Sequence, residues 1–252
     1  MNESALPPGD AADAILALVA GSLPPMPGVV VSDHSESLLV ATYGRIYRCL
    51  TSIRDLAGSP RYEADDARVL TRALLSATLR SLWLVASDDP VERERRQRSA
   101  ALAYFIEQRK IAVEERAAGV DVGDAPERLQ RNIDAMQAAG VTEPLNEHDI
   151  AVKLNMKPFY TRVYRVGSDT THYSIGAALD GFGELTSELG IGPVSLERPN
   201  QNEADHVLVT ALIVYGQFLQ SCEPVIKHGL TERVTELVAG AVRFVTAQGS
   251  TG

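Results

Sequence analysis

The sequence predicts an all-α fold, a single multi-helix bundle of about seven to nine helices. Three observations carry that expectation. Apolar residues recur at helical spacing in segment after segment. Strand-like alternation of apolar and polar residues is scarce. The 252 residues are 45% hydrophobic and 23% charged, enough apolar material to close a core without disulfides or a structural metal. No fixed-period repeat appears, which argues against a solenoid. The expected organisation is one helical domain over 1–252. Within it, 1–30 form a peripheral N-terminal helix and Pro-rich linker, and 180–200 a glycine-rich long loop or small hairpin.

Taken in order, "DAADAILALVA" makes a short amphipathic helix with Asp10 or Asp13 near its start. The prolines and glycines of "GSLPPMPGVVV" break it. A longer helix follows from about Ser35, where Leu38, Leu39, Ala41, Thr42, Ile46, Cys49, Leu50 and Ile53 fall at helical spacing. "YEADDARVLTRALLSATLRSLWLVA" opens with acids, which suit the positive end of a helix dipole. It continues with a broad apolar face through Val69, Leu70, Ala73, Leu74, Ala77, Leu79 and Leu82. In "SDDP", Ser87, Asp88 or Asp89 caps the next helix, with Pro90 in its first turn. That helix carries Glu92, Arg93, Glu94, Arg95, Arg96 and Arg98. The run reads either as a solvated face laced with ion pairs or as a basic strip for an anion.

"PERLQRNIDAMQAA" is a short helix capped by Asp124, and Asn146 caps "EHDIAVKLN". "EADHVLVTALIVYGQFLQSC" is apolar enough to be buried, and "TERVTELVAGAVRFVTA" is amphipathic, placed outside or at an interface.

The formal net charge of -9 disfavours RNA or DNA as a bulk electrostatic partner. No run approaches the roughly 20 apolar residues of a membrane span, and no cationic stretch precedes the first apolar one as in a signal peptide. The expectation is a soluble cytoplasmic protein with no membrane role. Cys49 and Cys222 make no CxxC pair and read as small hydrophobes.

Strong catalytic motifs are missing: no GxxxxGK[ST], no HExxH and no GxSxG. The histidines, His34, His148, His172, His206 and His228, never lie three or four apart. Glu203, Asp205 and His206 offer ligand types, but acidic capping explains them equally, and neither a metal nor a cofactor is expected. One stretch stands out, "RVYRVGSDTTH" over Arg162 to His172. If it is helical, Arg165 and His172 share one face two turns apart, with Asp169 between them. Tyr160, Tyr164, Ser168 and His172 then follow at intervals of four. An arginine that grips phosphate beside a histidine that exchanges protons suits phosphodiester cleavage. The same side chains also suit a packing or partner surface, and Gly167 can break the helix. A small-molecule enzyme with a pocket between helices is a third reading.

Two stretches, "ARVLTRALLSATLRSLWLVASDDPVERERRQR" and "FYTRVYRVGSDTTHYS", resemble an uncharacterised bacterial group, domain-of-unknown-function family 5677, between about Ala67 and Ser174. The family pattern places an acid four positions after the arginine matching Arg72, where this chain has Ser76. If that acid matters, the chain is inactive or uses another group. Arg72 joins Tyr160, Tyr164 and Ser168 as a binding or positioning candidate. More loosely, "RVGSDTTH" is similar to the Arg-x6-His pattern of the higher eukaryotes and prokaryotes nucleotide-binding (HEPN) superfamily, many of whose members are ribonucleases. Val166 departs from the polar residue usual after that arginine. The resemblance implies a homodimer with paired motifs in one cleft, Arg165, His172 and Asp169 as the catalytic set, and a role in toxin or phage defence. The reading that follows is a non-catalytic interaction or ligand-binding protein with a protein partner. A metal-independent ribonuclease is its alternative.

Overall fold

The structure is a computed structural model and describes residues 5–22, 34–59, 64–161, 163–164 and 201–249. Among these residues every regular element is a helix, as expected. In chain order they are α1 (Pro8–Ser22), α2 (His34–Gly58), α3 (Ala64–Val85), α4 (Pro90–Ala117), α5 (Ala125–Ala138), α6 (Glu147–Lys153), α7 (157–161 with 163–164), α8 (Gln201–Ile226) and α9 (Thr231–Gly249).

Helix α8 lies at the centre and packs against α1, α2, α3 and α9. Its sequence dictates that place. Leu208, Ala211, Leu212, Val214, Tyr215, Phe218, Leu219 and Cys222 are all buried, and they cover too much of the helix circumference for a surface element. Helix α2 answers with Leu39, Tyr43, Ile46, Leu50 and Ile53, and α3 with Leu74, Leu75 and Leu79. Helix α8 runs past Cys222, through Pro224, to Ile226. Pro224 has no N–H to give the Gln220 carbonyl one turn earlier.

The N-terminal helix, expected at the periphery, instead contributes fully buried Ala11, Ala12, Ile15 and Val19 to the shared core. It packs against α2, α8 and α9. Arg54 of α2 clasps Asp13 through two hydrogen bonds of 2.9 and 2.8 Å. Cys222 is a core hydrophobe, and burial pushes its thiol far above the ordinary range, so it stays protonated.

The arginine run of α4 is spent on structure. Asp89 caps the helix by accepting from Val91 N–H at 2.9 Å. Glu92 pairs with Arg95 and Arg96, and Glu94 with Arg98. Arg96 also lies 3.6 Å from the Trp83 ring centroid and donates to the Trp83 carbonyl at 2.7 Å. These pairs leave no basic strip there for an anion. Helix α5 packs along α4. Asp124 precedes it, but its side chain makes no cap bond, contrary to expectation. Its backbone, at φ -90 and ψ 14, is not extended as a capping residue usually is, and its carboxylate turns to Arg128 and Arg131.

Two local devices set α6 and α7 against α3. Asn146, with extended backbone, caps α6 by accepting from Asp149 N–H at 2.9 Å. At the other end Asn155 adopts φ 57. Met156 N–H then reaches back to the Ala151 carbonyl at 2.7 Å, and Asn155 N–H to Val152 at 3.1 Å. This closes the helix as a Schellman turn does, with asparagine in the left-handed place that glycine usually takes. The chain turns at once into α7, where Tyr160 N–H bonds the Met156 carbonyl at 2.8 Å. Asn146→Ala is expected to lower stability by about 1 kcal/mol, the usual value of a lost N-cap. A urea denaturation midpoint checks this.

Candidate functional site

Helix α3 carries Arg68, Arg72, Ser76 and Arg80 at intervals of four, a slowly turning polar stripe on an otherwise apolar helix. Each residue meets a different neighbour. Arg68 pairs with Glu203 at the start of α8. Arg80 gives two hydrogen bonds to one oxygen of Glu147 on α6, at 3.0 and 2.9 Å. Ser76 donates to that same oxygen, Oε1, at 2.5 Å. Arg72 differs: among the described residues no carboxylate pairs with it, and its guanidinium lies 4.1 Å from the centroid of the Tyr164 ring.

From Arg72 a ladder of rings runs across α7 to α6. Tyr164 stacks on Tyr160 with centroids 4.8 Å apart and planes 24° apart. Tyr160 meets His148 edge-on at 6.0 Å. Tyr160 is buried, while His148 is half exposed and sits beside Asp149, Nδ1 to Oδ1 3.3 Å. Burial is the main reason the Tyr160 phenol is held above its ordinary range. Tyr164 and the Glu147 carboxylate add to it and Arg72 opposes it. The two halves of the site meet through the rings, from Arg72 over Tyr164 to Tyr160 and His148.

The structure thus brings Arg72, Tyr160 and Tyr164 together. Arg165, Ser168, Asp169 and His172 lie outside the described residues. Glu147, His148 and Arg80 belong to the same face and are not legible from local sequence. Glu147 stands in the first turn of a helix, where an acid is already explained by the helix dipole, and nothing nearby announces a partner 71 residues earlier. At Ser76, where an acid was expected, a carboxylate is present after all, delivered by Glu147 from another helix.

Chemically, the face offers one guanidinium placed over a ring. Stacking uses the guanidinium's face and leaves its in-plane N–H groups for hydrogen bonds. Among the described residues no three His, Cys, Asp or Glu side chains converge as metal ligands. No described helix is long and apolar enough to cross a membrane.

No curated protein and no solved structure matches the chain. Residues 36–188 match a family of unknown function, DUF5677. The matched span is more than half of the chain and includes every residue of the face from Arg72 to Tyr164. On that match the chain belongs to the family of unknown function DUF5677.

Proposed function

We propose that this chain is a ligand-binding protein whose α3–α6–α7 face takes an oxyanion, a phosphate or a carboxylate, through Arg72. One observation carries the reading. Of the three arginines on the α3 stripe, Arg68 and Arg80 have carboxylate partners, while Arg72 is held on Tyr164 with none among the described residues. A cation held over a ring, with no carboxylate on its in-plane donors among the described residues, is organised for a planar or tetrahedral oxyanion. Arg80 differs in that its Nε and Nη2 already bond Glu147 and its charge is paired there.

The test is a calorimetric titration with propyl phosphate and with butanoate. Wild type is expected to bind at least one of them saturably, and Arg72→Gln to bind it at least about tenfold more weakly, the loss of a charge-assisted contact. An Arg72→Gln variant that melts like wild type and binds equally well would remove the basis of the proposal. The competing reading is a metal-independent ribonuclease using Arg165 and His172, and single-stranded RNA tests it directly. Metal-free cleavage that disappears in both Arg165→Ala and His172→Ala would replace the binding reading with the catalytic one.

A further inference from the structure

We infer that the ligand of this face is a hydroxyl-bearing oxyanion, with Arg72 taking the anion and the second oxygen of Glu147 taking the hydroxyl. The inference rests on the oxyanion reading above and adds the identity of the group beside the anion.

All three donors that reach Glu147 arrive at Oε1: Ser76 Oγ at 2.5 Å, Arg80 Nε at 3.0 Å and Arg80 Nη2 at 2.9 Å. Among the described residues Oε2 receives none. The carboxylate is mostly buried, with its side chain 17% exposed, and its other oxygen is anchored from two sides. Oε2 is therefore a fixed acceptor, and a fixed acceptor loses little entropy when it takes a donor. Its place is set by α3. Ser76 lies one turn beyond Arg72, a rise of about 6 Å along the helix. A ligand whose anion sits on Arg72 thus meets Glu147 roughly one short carbon chain away.

Charge decides which donor the ligand brings. Glu147 is already paired with Arg80. An ammonium there would compete with Arg80 for that carboxylate. A hydroxyl donates to Oε2 without adding charge. The class is therefore a short polyol phosphate or a hydroxylated carboxylate.

Matched pairs of probes test this in one calorimetric series. Glycerol phosphate against propyl phosphate, and dihydroxybutanoate against butanoate, differ only in hydroxyls, and the pair that binds distinguishes a phosphate site from a carboxylate site. Wild type is expected to prefer the hydroxylated member about tenfold, as for a hydrogen bond to a charged group. Glu147→Gln keeps an oxygen for Ser76 and Arg80 but loses the charged acceptor. It is expected to reduce the preference, read as the ratio of the two affinities within the variant, to below about threefold. Aminopropyl phosphate is expected to bind no better than propyl phosphate.

Equal affinity within a pair in wild type, with Arg72-dependent binding intact, overturns this inference and leaves the oxyanion reading standing. So does a hydroxyl preference that survives in Glu147→Gln, a tightest fit for the amine, or a loss of propyl phosphate binding in Glu147→Gln. Absence of all binding overturns both.

Discussion

Phe218→Ala is expected to destabilise the protein by about 3–5 kcal/mol, the usual cost of emptying an aromatic site in a closed core. Phe218 is fully buried on α8, with its ring centroid 6.0 Å from that of Tyr43 on α2. Tyr215 and Cys222, about one turn to either side on its own helix, and Ile46 and Leu50 of α2 belong to the same buried cluster. Helices cannot shift to fill the void without opening contacts elsewhere along α8, which packs against four neighbours. Val242→Ala serves as the control. Val242 is 37% exposed on α9, and its truncation is expected to change stability by no more than about 0.5 kcal/mol. Urea denaturation of both variants separates the two cases. Equal effects would mean that α8 is not the centre of the core.

The second large effect concerns the turn between α8 and α9. Glu223 accepts from Gly229 N–H and from Thr231 Oγ at 2.9 Å each, and its other contact is His228 Nδ1 at 2.8 Å. The His228 ring is 1% exposed and its Nε2 faces the Leu219 carbonyl at 2.9 Å. Lys227 and Gly229 both take positive φ, 50 and 68, so the turn is tight and its donors must be satisfied locally. Glu223→Ala leaves a backbone N–H and a hydroxyl with one partner fewer, while the His228 ring keeps Leu230 N–H on Nδ1 and the Leu219 carbonyl at Nε2. A loss of about 1–3 kcal/mol at neutral pH is expected.

The same carboxylate gives a pH signature. Burial raises the Glu223 pKa, but the hydrogen bonds from Gly229 and Thr231, with His228, outweigh it and hold the group below its ordinary value. A lowered folded-state pKa means the unfolded chain binds the proton more readily. The contribution is complete above the ordinary carboxylate value and is lost as pH falls from there through the lowered one. Wild type should therefore lose more stability across that acid interval than Glu223→Gln. Parallel stability curves for the two would show that Glu223 is not the group responsible.

Much of the fold is legible because helical periodicity is dense in this chain. The segments opening near Ser35, Ala64 and Pro90 begin where capping and acidic signals place them, and Asn146 and Asp89 cap as their residue types suggest. The failures have physical causes. Asp124 had the right chemistry for a cap but the wrong backbone angle, and Arg128 claimed it. Helix α1 is short and followed by prolines, features of a peripheral segment, but Ala11, Ala12, Ile15 and Val19 fill a site that only tertiary packing reveals.

The face around Arg72 divides in the same way. Tyr160 and Tyr164, four apart, are recognisable as one stripe, whereas Arg72 stands out only through the family resemblance, since Arg68 and Arg80 share its helix. What sequence cannot express is that α6 swings Glu147 onto Ser76, because that contact depends on the left-handed turn at Asn155 and on packing between α3 and α6.

That face is tested most directly by the arginine Nε–H resonances of 15N-labelled protein during a propyl phosphate titration. One peak, the peak missing from the spectrum of Arg72→Lys, should shift saturably while those of Arg68 and Arg80 stay in place. Saturable movement of other arginine peaks with the Arg72 peak fixed, or no movement at all with either a phosphate or a carboxylate, would contradict the assignment of Arg72 as the anion-binding group.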